Sequence, residues 1–472
     1  MIRRFLSSTA LLGGLSLALI SPASASVKKP PVAPDPAITK EVVVEKEATA
    51  AAKDSPCKIE PCKKAEETTC KKVDESVAPQ LKFAGQTSFD NWMFKNSVRT
   101  IPGDSANNAW NRKGNGRGQY FSVDDSRFHI SVDGKTDLGM EYGLHFTLNG
   151  DTGSTNTLRE NYLFFGGSWG KLFLGDTYGV ESTMTFGGWD NWGGTLFIDG
   201  GMVEHTVNVT TGTVVSDNLV GDTGRSTKMT YLTPRWEGFQ FGVSYTPRGD
   251  HLGQGSVNSL VSASSPKVPF DTDTVASTLN FMHQFENSIE IALSANSIFA
   301  RTHPEYTQGA TTPVPYNRQN VGSFALGGRI SYQGLGFSTE YGNNGKSRQI
   351  AGQSLSNAGQ FVSYGLSYTH GATKVSTGYW YSWRNALGGG INPSTYTKVK
   401  ATTSAAGAAI DHKLAPGLVV YFEYANFRMK NPAALNEANR LNASTNSSSN
   451  SFVAPIPSNT ANSFVVGSRL VF

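Results

Sequence analysis

The sequence predicts an all-β chain folded as a membrane-spanning antiparallel β-barrel of about sixteen strands. Three observations predict it. Between Leu81 and Phe472 the apolar residues recur with a period close to two rather than 3.6. The connections between these alternating segments switch regularly between short and long. The last segment, Ser463 to Phe472, alternates up to an aromatic final residue, whereas the termini of most soluble domains fray. A strand with no free end is what a closed barrel needs, because its last strand pairs with its first.

Composition narrows the alternatives. Charged residues make up 17 % of the 472, against about 25 % for an ordinary soluble domain. Hydrophobic residues reach 38 % and glycine contributes 50 positions. A helical membrane protein needs several runs of about 20 apolar residues, and none is present. A net charge of +4 spread over this length is not the basic footprint of a nucleic-acid binder. No cofactor or metal is expected.

In chain order, Arg3 and Arg4 precede the apolar run Leu11–Ile20, and Ala23-Ser24-Ala25 has the small-x-small pattern of a cleavage site. Residues 1–25 therefore read as an export signal; the rival, a membrane anchor, lacks a stop-transfer pattern. Residues 26–80 change character, with Pro30, Pro31, Pro34 and Pro36 followed by alternating Lys and Glu. Such a stretch buries little apolar surface and reads as a flexible segment. It holds all three cysteines, Cys57, Cys62 and Cys70. A disulfide among them is favoured over a metal site, because the spacings match no familiar zinc pattern.

The barrel is expected over residues 81–472. Phe239, Phe241, Val243 and Tyr245 face one way, and Gln240, Gly242 and Ser244 the other. Val362, Tyr364, Leu366 and Tyr368 repeat the scheme, as do Val375, Thr377, Tyr379, Tyr381 and Trp383. A soluble sandwich shows the same alternation. Export, aromatic clustering near strand ends and the turn-loop alternation favour the membrane barrel. Seven short turns and eight long loops predict sixteen strands, enough to enclose water. Ala401–Ile410, rich in alanine, is the least typical strand and could be a flat wall facing another subunit.

The segments Asp125–Val132, Asp137–Gly143, Arg159–Phe165 and Trp169–Asp176, in this order, resemble the general diffusion porins of Gram-negative outer membranes. The resemblance covers residues 81–472. It implies a trimeric sixteen-stranded barrel whose third loop folds inward, a water-filled channel for small hydrophilic solutes and ions, and no catalysis. It implies an outer-membrane location with a periplasmic N-terminal segment, contact with lipid and lipopolysaccharide, and delivery by the barrel assembly machinery through the strand ending at Phe472. The third loop would be Thr177–Gly224, with Asp190, Asp199 and Glu204 as acidic groups at the constriction. Arg127 and Arg159 match basic wall positions; Arg225 or Lys228 is the next candidate, with parity favouring Lys228. Lys82, Arg329 and Arg469 face inward by alternation alone.

Competing motifs are weaker. Asn344-Gly345-Lys346-Ser347 approaches a phosphate-binding loop, but Glu340 occupies the place of its first glycine. Gly114–Gly118 lies in a long connection. There is no His-Glu-x-x-His, and Gly166-Gly167-Ser168-Trp169-Gly170 falls on a short turn between strands rather than on a strand-to-helix elbow, so a barrel hydrolase ranks behind a channel. A substrate-specific channel for sugar or phosphate is the other alternative: inward aromatic ladders would favour sugar, and dense inward arginine would favour phosphate.

Overall fold

A computed structural model describes residues 14–15, 77–99, 115–151, 158–195, 219–249, 271–303, 305–306, 315–351, 356–388, 397–434 and 456–472. Cys57, Cys62, Cys70, Asp199 and Glu204 lie outside the described residues, as does nearly all of the N-terminal stretch. The last four residues of that stretch, Val77 to Gln80, are not a flexible segment as expected but open the first barrel strand, where Val77 pairs with Lys135 and Gln80 with Asp133.

Among the described residues, sixteen antiparallel strands close into a barrel. They are β1 (Val77–Arg99), β2 (Asn115–Lys135), β3 (Glu141–Asn149), β4 (Leu158–Gly167), β5 (Gly170–Asp176), β6 (Thr227–Leu232), β7 (Phe239–Arg248) and β8 (Asp271–Gln284). The second half comprises β9 (Glu290–Thr302), β10 (Val321–Tyr332), β11 (Leu335–Gly345), β12 (Gly359–His370), β13 (Thr373–Gly388), β14 (Thr397–Ala415), β15 (Leu418–Lys430) and β16 (Ser458–Val471). Each strand pairs with its sequence neighbours, and β16 returns to β1 from Ser458↔Arg99 to Val471↔Gln86. Phe472 completes the seam: its N–H donates to the Gly85 carbonyl at 3.0 Å, and its carbonyl accepts from the Gly85 N–H at 2.9 Å. Two small additions are a pairing of Gly14–Leu15 with Gly359–Gln360 and a ribbon between Glu305–Tyr306 and Pro315–Tyr316.

The alternation explains the closure. Phe239, Phe241 and Tyr245 on β7, and Tyr364, Leu366 and Tyr368 on β12, are exposed on the outer face. Their neighbours Ser244, Ser363 and Ser367 are buried toward the lumen. An apolar belt of this kind is stable against hydrocarbon, while the closed ladder leaves no backbone edge unpaired there. The short connections carry the turn chemistry that the twist demands. Between β10 and β11, Gln333 (φ 47°) and Gly334 (φ 86°) make the two-residue hairpin with both central residues left-handed. The alanine-rich segment lies within β14, where Ala401, Ala405 and Ala409 point inward and are buried.

Candidate functional site

The connection from β5 to β6 is the third long loop, and its described residues, 177–195 and 219–226, lie inside the barrel. It begins at Thr177, makes one helical turn, α1 (Val180–Thr183), and then follows the inner wall. Its path is fixed by inward polar side chains. The Val180 N–H donates to Ser244 Oγ on β7 at 2.9 Å, and Thr278 Oγ1 on β8 donates to the Val180 carbonyl at 3.0 Å. Asn280 Nδ2 reaches the Met184 carbonyl at 3.1 Å, and the Phe186 N–H meets Ser294 Oγ on β9 at 2.8 Å. Arg329 on β10 lies 5.2 Å from the Phe186 ring centroid, and Ser338 Oγ on β11 donates to the Gly188 carbonyl at 2.9 Å.

The strands further round receive the rest. A β-carbon at Gly378 on β13 would stand 2.7 Å and 2.8 Å from the rings of Trp189 and Trp192, so only glycine admits both indoles there. Trp380 stacks on Phe361 with ring centroids 4.7 Å apart, and Trp189 packs beside Trp380. Residues 192–195 are then held by four consecutive strands. Lys374 Nζ on β13 donates to the Trp192 carbonyl at 3.2 Å, and Asp411 on β14 accepts the Gly194 N–H at 2.8 Å. Glu423 on β15 accepts from Trp192 Nε1 at 3.1 Å, from the Thr195 N–H at 2.6 Å and from the Thr195 hydroxyl at 2.9 Å. Arg469 on β16 donates to the Gly194 carbonyl. The described outgoing arm therefore laps the wall from β7 to β16. The returning arm retraces part of this path, with the Val220 N–H on Asn344 at 2.7 Å and Ser323 on the Val220 carbonyl at 2.7 Å.

This belt covers one side of the lumen. Inward side chains on β9–β16, among them Ile298, Trp380, Glu423 and Phe427, are buried beneath it or beside it. The inner wall of β1–β3 is more open: the Lys82 side chain is 63 % exposed and Asp133, paired with it at 3.0 Å, is 38 % exposed.

A basic cluster sits where the belt leaves the wall. One β-bulge falls between Gln86↔Arg127 and Ser88↔Asp124, where Asp125 takes φ 52°. Its carboxylate pairs with Arg127 and accepts from Gln86 Nε2 at 2.5 Å. A second bulge makes Arg159 the extra residue between Thr147↔Glu160 and Leu148↔Leu158. Bulges re-aim side chains, and here they flank both arginines. Arg159 donates to the Tyr178 hydroxyl at 3.1 Å, and Thr177 donates to Glu160 at 3.1 Å. Burial raises the Tyr178 phenol above its ordinary value, so it stays neutral. Arg225 interacts electrostatically with Arg127, Arg159, Glu160 and Tyr178.

Arg127, Arg159 and Arg225 thus come together. Lys228 does not join them at an open surface: its side chain is 0 % exposed, 3.9 Å from an equally enclosed Glu181, and it donates to the Gly224 carbonyl at 2.5 Å. It seals the joint between loop and wall. Lys82 lies further toward the short turns, paired with Asp133. Asp190 is half-buried on the belt between Trp189 and Trp192.

A family model described as Gram-negative porin matches residues 100–432. The chain belongs to this porin family. The barrel is also similar to the solved structure of OmpT, an outer membrane protein of Vibrio cholerae in its trimer form, with a TM-score of 0.51 and 13 % identity over 84 % of this chain and 100 % of that one. Uncharacterized proteins of Rickettsia conorii and Rickettsia typhi are 25 % and 23 % identical, each match taking in 45 % of this chain and 53 % of the relative. The chain spans about half the length of the curated relatives it matches.

This porin is accordingly a bacterial outer-membrane barrel. The loop anchors Lys374, Asp411 and Glu423 are the residues that sequence reasoning missed, along with Glu181. A signal for Glu423 exists: it stands between Phe422 and Tyr424, both on the outer face, so alternation sends its carboxylate inward.

Proposed function

We propose that this porin is a non-enzymatic channel through which small hydrophilic solutes and ions diffuse passively. The observation that carries the reading is a chain segment laid along the inside of a closed barrel, covering one wall and leaving the β1–β3 wall open. A polar lumen spares a hydrated solute the cost of entering hydrocarbon. The inward loop sets the size limit. Asp190, Asp199 and Glu204 on that loop, facing Arg127, Arg159 and Arg225, would create a transverse field, strengthened by the low-dielectric wall. Lys82 extends the basic side toward the short turns.

The chain acts as a homotrimer in contact with lipid and lipopolysaccharide, is exported by residues 1–25 and is inserted by the barrel assembly machinery through the strand ending at Phe472. Residues 26–76, with Cys57, Cys62 and Cys70, form a periplasmic segment carrying a disulfide. The trimer form of the similar OmpT is compatible with this assembly.

Conductance of the refolded protein in planar bilayers tests the reading, together with swelling of liposomes in sugars of graded size. Stepwise current closing in three equal decrements is expected. Liposomes that remain impermeable to every sugar and salt would overturn the channel, and single-step closing would overturn the trimer.

A further inference from the structure

On the open wall, four inward rings form a column across adjacent strands. His129 on β2 and His145 on β3 have centroids 5.6 Å apart with planes at 33°. His145 and Tyr162 on β4 are 5.1 Å apart at 27°. Phe173 on β5 meets Tyr162 edge-on, 5.9 Å away at 68°, and ends the stack on that side. Hydroxyl groups set the imidazole orientations. Thr147 Oγ1 lies 3.0 Å from His129 Nδ1 and 3.0 Å from His145 Nε2, and Ser131 Oγ lies 3.1 Å from His145 Nδ1.

The other end of the stack is open. The cross-strand partner of His129 on β1 is Ala84, an exposed residue with only a methyl group. Its inward neighbours, Lys82 and Gln86, stand two residues away on either side, about 7 Å along the strand. A flat ring laid over Ala84 would continue the column at the strand spacing of about 4.8 Å and cover the free face of His129. Two ion pairs flank the gap, Lys82 with Asp133 and Arg127 with Asp125, and of the two cations Lys82 is the exposed one. Lys82 shares one partner, Asp133, at 3.0 Å, and an ammonium has three donors to offer. Arg127 lies two residues from His129, in the same basic cluster as Arg159 and Arg225.

We propose that this gap over Ala84, between His129 and the lumen-facing Lys82, is a binding berth for planar aromatic carboxylates in transit; the proposal rests on the channel reading above. The ring stacks on His129 and the carboxylate pairs with Lys82. A chair-form sugar can lay its C–H face over His129 but brings no carboxylate to Lys82.

Planar-bilayer recordings with benzoate and cyclohexanecarboxylate, equal in charge and close in size, separate stacking from charge. Benzoate is expected to interrupt the current for roughly two- to tenfold longer, the range that an aromatic pair adds beyond area burial. Ala84→Trp fills the berth and should erase that difference while the channel still conducts. Lys82→Met, at an exposed side chain, should shorten the dwell of both acids and keep their ratio. Equal dwell times for the two acids, a dwell as long for glucose, or a benzoate preference that survives Ala84→Trp would overturn the berth. So would dwell times unaffected by Lys82→Met, which decides the matter if Ala84→Trp fails to assemble. Wild-type protein that carries no current at all would overturn the channel reading instead.

Discussion

Replacing Glu423 by Ala should release the far end of the inward loop without opening the barrel. The Glu423 carboxylate is 0 % exposed and is the acceptor for three donors of the loop: Trp192 Nε1, the Thr195 N–H and the Thr195 hydroxyl. A hydrogen bond to a charged group contributes about 1.5–3 kcal/mol, and orphaned buried donors cost a similar amount. Bonds sharing one acceptor are not additive, so a loss of about 4 kcal/mol is a conservative figure. That shifts the ratio of released to seated loop by roughly 10³. Asp411, Ser376 and Lys374 still hold residues 192–194, which makes the release local. Single-channel recordings should show larger conductance and noisier open current. Folding is checked separately by the mobility shift between unheated and boiled protein in detergent gels. Glu423→Gln keeps one carbonyl acceptor and should fall between wild type and Glu423→Ala. Conductance and noise identical to wild type in correctly folded Glu423→Ala would refute the anchoring role.

Lys228→Met leaves Glu181 enclosed without its cation and should destabilise the folded barrel by about 3–5 kcal/mol, seen as a lower thermal transition. Pairing it with Glu181→Gln should recover most of that loss; a double variant as unstable as the single would sink the pairing. Asp190→Asn together with Asp199→Asn should reduce cation preference, measured as a smaller reversal potential across a salt gradient. No movement of the reversal potential would remove these residues from the constriction. Deleting Phe472 removes both backbone bonds to Gly85, and the yield of heat-modifiable barrel should fall; a full yield would show that the seam closes without them.

The wall was legible because two simple signals coincide. Residues such as Phe239, Phe241 and Tyr245 mark a lipid-facing row at period two, and turns such as Gln333-Gly334 mark where the chain must reverse. The basic cluster was legible in part, since Arg127 and Arg159 stand in motif segments. The bulges that flank them carry no comparable sequence mark, and Lys228 obeys the parity rule yet ends inside the joint with Glu181. The course of the inward loop was not legible. Its anchors lie 64 to 275 residues away in sequence, and most are small inward polar residues such as Ser244, Ser294 and Ser338. Side chains of that kind suit a wall facing water equally well. Tyr162 and His145 were hidden for a related reason: they look ordinary within their own strands, and only the register between strands stacks them.

Residues 192–195 hang from β13, β14, β15 and β16, the final quarter of the circumference. The strap's far end is therefore fully fastened only when all four of those staves stand side by side, so the last part of the chain governs the working aperture of the whole hoop.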